Sequence, residues 1–179
     1  MEQIALLRDV LQRAAYRGMI AGFDPECFIL IDKSHFVQSS AHRCRGRGKR
    51  GRAAPVQLTL MARGRRFSLL GAFNCQGFAV NAGEVVRERG VDVDTFVEWV
   101  EDMLWPVLQP YVLGAPYPNS VVILDNASVH WDPRVPEAIA TTGALLRFMP
   151  PYSPDMSPIE ASFNNLKKHL KRNEVVARV

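Results

Sequence analysis

The sequence predicts an α/β domain, and three observations carry that expectation. Cys27-Phe28-Ile29-Leu30-Ile31 and Val121-Val122-Ile123-Leu124 are unbroken apolar runs, of the length and character of strands buried on both faces. Each runs straight into an aspartate, Asp32 or Asp125. Between and around these runs lie stretches with apolar residues at helical spacing, which supply the layers a doubly covered sheet needs.

The first such stretch, from about Glu2 to Arg17, places Ile4, Leu7, Leu11, Ala14 and Ala15 on one face. It predicts a lead-in helix within residues 1–24, broken by Gly22 and Asp24-Pro25 ahead of the first strand. Pro55–Ala62 and Phe67–Phe73 are strand-like runs joined by Arg63-Gly64-Arg65-Arg66, a hairpin pattern that makes an antiparallel meander with the first strand. Residues 74–90 carry no assigned chemistry. Asp94 is placed to cap a helix over Thr95–Trp105 with Phe96, Val97, Val100 and Leu104 inward, ended by Pro106. Glu98, Glu101 and Asp102 are expected in solvent, and Trp99 and Trp105 in packing. Pro110–Pro118 reads as a connection. Asp132-Pro133 opens another helix that Gly143 stops, and Ala144–Met149 reads as a further strand.

Pro150-Pro151-Tyr152-Ser153-Pro154-Asp155-Met156-Ser157-Pro158-Ile159-Glu160 is a stiff loop running into the last helix. Ser157 fits an N-cap, Pro158 the first helical position and Glu160 the third place of a capping box. Glu160 therefore has two readings, a helix cap or a site acid. Along that helix Ile159, Phe163, Leu166 and Leu170 are spaced to pack inward, with Lys167, Lys168, Lys171 and Arg172 outward.

The chain has 179 residues and is 47% apolar, enough for one domain with a real core. Net charge is +4, but unevenly spread: residues 34–83 lack Asp and Glu, and ten of the 22 Lys and Arg fall between Lys33 and Gly83. Within that stretch Arg43, Arg45, Arg47, Lys49, Arg50 and Arg52 alternate with glycine and small residues, a pattern suited to following a phosphate backbone. Cys27, Cys44 and Cys75 are odd in number with no zinc spacing, so reduced thiols are expected. No apolar stretch reaches membrane-spanning length, and residues 1–24 lack the apolar centre of a signal peptide. The expectation is a protein that is not secreted, acting in the nucleus of a eukaryote or the cytoplasm of a bacterium.

In open α/β sheets, ligands gather at the carboxyl ends of strands. Asp32 and Asp125 stand at such ends, and on neighbouring strands they would lie side by side. Such a pair is costly without a cation or proton between them, and hard oxygen donors suit Mg²⁺ or Mn²⁺.

Three segments together resemble a known family. Ile31-Asp32, Leu124-Asp125-Asn126-Ala127-Ser128-Val129-His130 and the proline loop ending in Glu160 resemble the three acidic motifs of mariner-type DDE transposases. They occur in the same order, with 34 residues between Asp125 and Glu160. The resemblance covers about Cys27 to Lys171. It implies a ribonuclease H-like fold, a mixed five-stranded sheet with three antiparallel strands followed by parallel additions, flanked by helices. It implies a catalytic domain over residues 25–179, without the helix-turn-helix units that family members carry ahead of it.

It further implies that Asp32, Asp125 and Glu160 are the catalytic acids, holding two Mg²⁺ (or Mn²⁺) ions, with Asn126 and His130 in auxiliary roles. DNA would be cut at transposon ends, and the 3′-hydroxyl ends joined to target DNA, with a possible homodimer on the double-stranded DNA. Lys33 departs from the family, which usually has Glu there. Strand alternation points position 33 away from Asp32, so the change need not remove a ligand. The alternative is a catalytically inactive DNA-binding remnant, or host-recruited module, of the same fold.

Overall fold

The computed structural model describes residues 9–37, 49–51, 66–87, 90–115 and 117–173. Its centre is a five-stranded sheet of β1 (Phe28–Val37), β2 (Arg66–Asn74), β3 (Gly77–Arg87), β4 (Val121–Leu124) and β5 (Leu145–Phe148), ordered β3-β2-β1-β4-β5. β1, β2 and β3 form an antiparallel meander, while β4 and β5 add in parallel on the other side of β1. This is the expected mixed sheet.

Two details of the meander differ from the sequence reading. The strand at Phe67–Phe73 is its middle member, and the third is Gly77–Arg87, reached through a tight turn at Cys75-Gln76 in which Gly77 takes φ 122°. The run at residues 55–62 and its basic turn lie outside the described residues, apart from Arg66, which opens β2. β1 also does not stop at Asp32 but continues to Val37 along β2. What stops is its pairing with β4, which covers Phe28 to Leu30.

Helices cover both faces. On one side α2 (Val93–Trp99) runs into a π-helical turn and then a 3₁₀ turn at Trp105–Val107 containing Pro106. It packs with α3 (Arg134–Thr141) over Ile29, Ile31, Leu70 and Ala72. Trp99 is buried there, and Trp105 donates its Nε1–H to the Ala138 carbonyl at 2.9 Å, so both tryptophans serve packing. The cap of α2 is Asp92, which accepts from the Thr95 N–H at 2.9 Å, rather than Asp94, which instead pairs with Arg134 at 2.7 Å. Gly143 ends α3 at φ 78° as expected.

On the opposite side lie α1 (Val10–Ile20) and α4 (Pro158–Asn173). Asp9 caps α1 through the N–H groups of Leu11 and Gln12. The expected apolar face is displaced: Leu11 is 80% exposed, and Tyr16 is the buried anchor, with Met19 and Ile20 partly buried beside it. Residues 1–8 lie outside the description, including Ile4 and Leu7. On α4, Ile159 and Phe163 are buried, with Phe163 set against Gly71 of β2. A Cβ at Gly71 would lie 3.2 Å from Phe78 and 3.6 Å from Phe163, so the glycine permits this close approach.

Candidate active site

The register of the two central strands brings the first two acids together. Leu30 pairs with Ile123, so two residues further along each chain Asp32 and Asp125 stand at the same level. Asp32 is still held in the β1–β2 ladder opposite Gly71, whereas Asp125 lies just past the end of β4. The aspartates thus occupy the mouth where two parallel strands part, the position that strand-end chemistry requires.

Glu160 arrives from the other direction, in the first turn of α4. The capping reading fails here, because the Ser157 hydroxyl is buried and has no hydrogen-bond partner. Ser157 instead closes the 3₁₀ turn at Pro154–Met156, its N–H donating to the Pro154 carbonyl. Glu160 is exposed and faces a cavity of about 390 Å³ that it lines with Asp32, Asp125, Asn126 and Tyr152. Three acids from three distant segments therefore open onto one space.

Their electrostatics separate them. Burial pushes Asp32 up to about 6, with the charges of Asp125 and Glu160 adding to the rise and the Lys33 N–H, 2.6 Å from its carboxylate, opposing it. Burial acts on Asp125 in the same direction, but is outweighed by the hydrogen bond from His130, the Ala127 N–H, and the charges of His130 and Lys33. Asp125 is accordingly held below the usual carboxylate range. Two neighbouring aspartates thus differ in proton affinity by design of their surroundings.

Asn126 and His130, the two residues expected beside the acids, contact the backbone and Asp125. His130 is 3% exposed, sits against the Phe96 ring at 4.7 Å, and places Nδ1 2.7 Å from Asp125 Oδ1. Asn126 donates to the Met149 carbonyl, tying the end of β4 to the end of β5. Lys33 lies on the sheet face opposite Asp32, as alternation requires, yet lines a smaller cavity of about 110 Å³ with Asp32, Asp125 and His130.

Lys49 and Arg50 are exposed, while Arg43, Arg45, Arg47 and Arg52 lie outside the described residues, as does the Lys171 side chain. Lys168 is exposed on α4. Lys167 is half-buried, its Nζ 5.5 Å from the centre of the Phe36 ring, a cation–π contact on the β1 side rather than a fully outward charge.

The donor set fits a hard divalent cation: three carboxylates around one open cavity, one of them destabilised as an anion by burial and like charge. Among the described residues no three acidic, histidine or cysteine side chains are gathered closely enough to hold a metal ion as they stand. The fit is therefore one of chemistry and common orientation.

Two contributors escaped the sequence reading. Tyr152 lines the cavity at φ 54°, 57% exposed between its prolines. The cue was present, since an aromatic residue in a proline-rich loop cannot easily be buried there. Arg13 reaches the same loop from α1, and no local pattern announces a contact across 140 residues.

A family model described as DDE superfamily endonuclease matches residues 28–179, and the chain belongs to that family. Among solved structures, the Mos1 transposase paired-end complex with left transposon end is similar with a TM-score of 0.69 at 14% identity, over 89% of this chain and 47% of that one. The Mos1 mariner paired-end complex with Mn gives 0.61 at 16% identity, over 88% and 46%. The catalytic domain of Mos1 mariner transposase gives 0.59 at 12% identity, over 88% and 69%. The fold is thus that of the mariner-type catalytic domain, ribonuclease H-like as the motifs implied. The chain spans about half the length of the Mos1 chains in the DNA complexes. No curated protein matches it in sequence.

Proposed function

We propose that this chain is the catalytic domain of a transposase that cuts double-stranded DNA at transposon ends and joins the freed 3′-hydroxyl ends to target DNA. The observation that carries this reading is the convergence of Asp32, Asp125 and Glu160 on one cavity in a DDE superfamily endonuclease. Its structural neighbours, complexes of Mos1 with a transposon end and with Mn or Mg, support DNA and divalent ions as partners.

Asp32, Asp125 and Glu160 would hold two Mg²⁺ ions, which supply the charge that activates an attacking water or hydroxyl and stabilises the leaving oxygen. The chain's own contribution is preorganisation. His130 keeps Asp125 ionised and oriented, in the manner of a histidine supporting a ligand from outside. Asp32 carries a carboxylate that its surroundings disfavour, so a cation replacing its proton relieves a penalty already built in. Asn126 fixes the two parallel strand ends from which Asp125 and the proline loop depart. Tyr152 lines the same cavity as the three acids.

The test is Mg²⁺-dependent nicking of plasmid DNA, with Asp125→Ala as the control. Equal nicking by wild type and variant would remove the acids from the mechanism. A second reading, the non-catalytic DNA-binding remnant, is favoured by one observation: Lys33, a cation, lines a cavity with two of the three acids. Calorimetric titration with Mn²⁺ separates them, because a remnant need bind no metal, while the enzyme should bind it and lose it on Asp32→Asn.

A further inference from the structure

The loop that delivers Glu160 is poor in backbone donors. Prolines at 150, 151 and 154 remove three backbone donors, Tyr152 takes φ 54°, and the loop's own backbone bonds include two 3.0 Å turns, Met156 to Ser153 and Ser157 to Pro154. An external group ties it down. Arg13, on α1, donates from Nη1 to Ser153 Oγ at 2.6 Å and to Asp155 Oδ1 at 3.2 Å, and from Nη2 to Asp155 Oδ2 at 2.7 Å. Ser153 passes the restraint on, its hydroxyl donating to the Pro151 carbonyl at 3.1 Å. One planar guanidinium, on a side chain 12% exposed, thereby holds Ser153 and Asp155 directly and Pro151 through Ser153.

We infer that Arg13 is a positioning residue for the acid site, clamping the proline loop to α1 so that Tyr152 and Glu160 face the two aspartates. The inference rests on the reading of Asp32, Asp125 and Glu160 as the catalytic acids. α1 is a fixed support, because Tyr16, Met19 and Ile20 pack against Phe28 and Leu30 of the sheet. The clamp therefore refers the loop to β1, the strand that carries Asp32. Arginine is required by geometry: a carboxylate gripped by two nitrogens and a hydroxyl gripped by the same fork need a planar, multivalent donor, which lysine is not. Arg13 itself touches no acid of the site.

The experiment uses the full chain with Arg13→Ala, Arg13→Lys and Asp155→Asn. Amide hydrogen exchange in residues 150–157 should accelerate in all three while exchange in β1 and β4 stays as in wild type. In Mg²⁺-dependent nicking, kcat should fall about 10- to 100-fold, the scale of a small misplacement of a reacting group, with KM for DNA within about twofold. Arg13→Lys should recover only part of the loss, and combining Arg13→Ala with Asp155→Asn should be no worse than the more severe single change, as for partners in one contact. Unchanged loop exchange, a loss confined to KM, or additive effects in the double variant would overturn the assignment. If wild type neither nicks DNA nor binds Mn²⁺, the proposed function falls instead, and the exchange measurement alone then decides whether the clamp exists.

Discussion

Nδ1 of the buried His130 ring lies 2.7 Å from Oδ1 of Asp125 and 3.2 Å from the same residue's carbonyl oxygen. A single N–H donor thus restrains both the side chain and the backbone of one acid, at the point where β4 ends. His130 does not line the larger cavity onto which the three acids open, so its effect there runs through the charge and orientation of Asp125.

Replacing His130 by alanine should therefore raise the proton affinity of Asp125, remove its orientation, and weaken divalent-metal binding about 10- to 100-fold, the usual cost of losing a partner that orients a ligand. Since the folded-state pKa of Asp125 is depressed, the stability it contributes is present above the unfolded value near 4 and is lost as pH falls through the lower folded value. The variant should lose that contribution, so its thermal stability should depend less on pH below about 4. Mn²⁺ titration and melting curves between acidic and neutral pH check both consequences.

Asp32 should behave in the opposite sense. Its folded-state value of about 6 lies above the ordinary 3.8, so the native state binds the proton more tightly than the unfolded chain does. In the metal-free protein, stability then falls as pH rises from about 4 to about 6 and stays reduced above that. Asp32→Asn should consequently be more stable than wild type at pH 7.5, by on the order of 2 kcal/mol, and the advantage should vanish near pH 4. Mg²⁺ should raise the melting temperature of wild type and leave the asparagine variant unmoved. A variant that melts below wild type at pH 7.5 without metal would contradict the burial penalty on Asp32.

Glu160→Gln separates the two readings of that residue. Because the Ser157 hydroxyl makes no capping bond and Glu160 is exposed, the substitution should change stability by no more than about 0.5 kcal/mol, as for a surface change away from special features. Nicking should nonetheless be lost. Equal melting temperatures with abolished Mg²⁺-dependent nicking is the expected pair of results, and retained nicking would return Glu160 to a structural role.

The strands that carry Asp32 and Asp125 were legible in sequence because the signal is local: a buried apolar run followed by an aspartate announces a strand and a carboxylate at its end. For Glu160 the residues alone left two readings, and it was the resemblance to mariner-type transposases that implied an acid facing the aspartates. β3 was not legible: within Gly77–Arg87, Asn81, Gly83 and Glu84 interrupt any alternation, and pairing with β2 supplies what the pattern lacks. The cap of α2 fell two residues early because Asp92 and Asp94 offer equivalent carboxylates in sequence, and the contact of Asp94 with Arg134 is not legible there. α1 misled through Leu11, whose helical spacing is correct but whose neighbours on the sheet are contacted by Tyr16 instead. The Arg13 clamp joins residues far apart in sequence, and such a pair leaves no periodicity to read.

The basic stretch after β1 should appear in solution as salt dependence. Each phosphate neutralised releases counterions, so the logarithm of affinity falls with the logarithm of salt concentration with a slope of about −0.9 per contact on B-form DNA. If Arg43, Arg45, Arg47, Lys49, Arg50 and Arg52 each meet a phosphate, changing all six to glutamine should reduce the magnitude of that slope by about 5. Lys167→Gln should change it less, since that residue is half-buried with its ammonium over the Phe36 ring and already has a partner. Fluorescence anisotropy on a labelled duplex over a range of salt concentrations measures the slopes directly. Because phosphate contacts carry no sequence information, the six-residue variant should lose affinity equally for transposon-end and unrelated DNA. An unchanged slope would show that the stretch does not follow the DNA backbone.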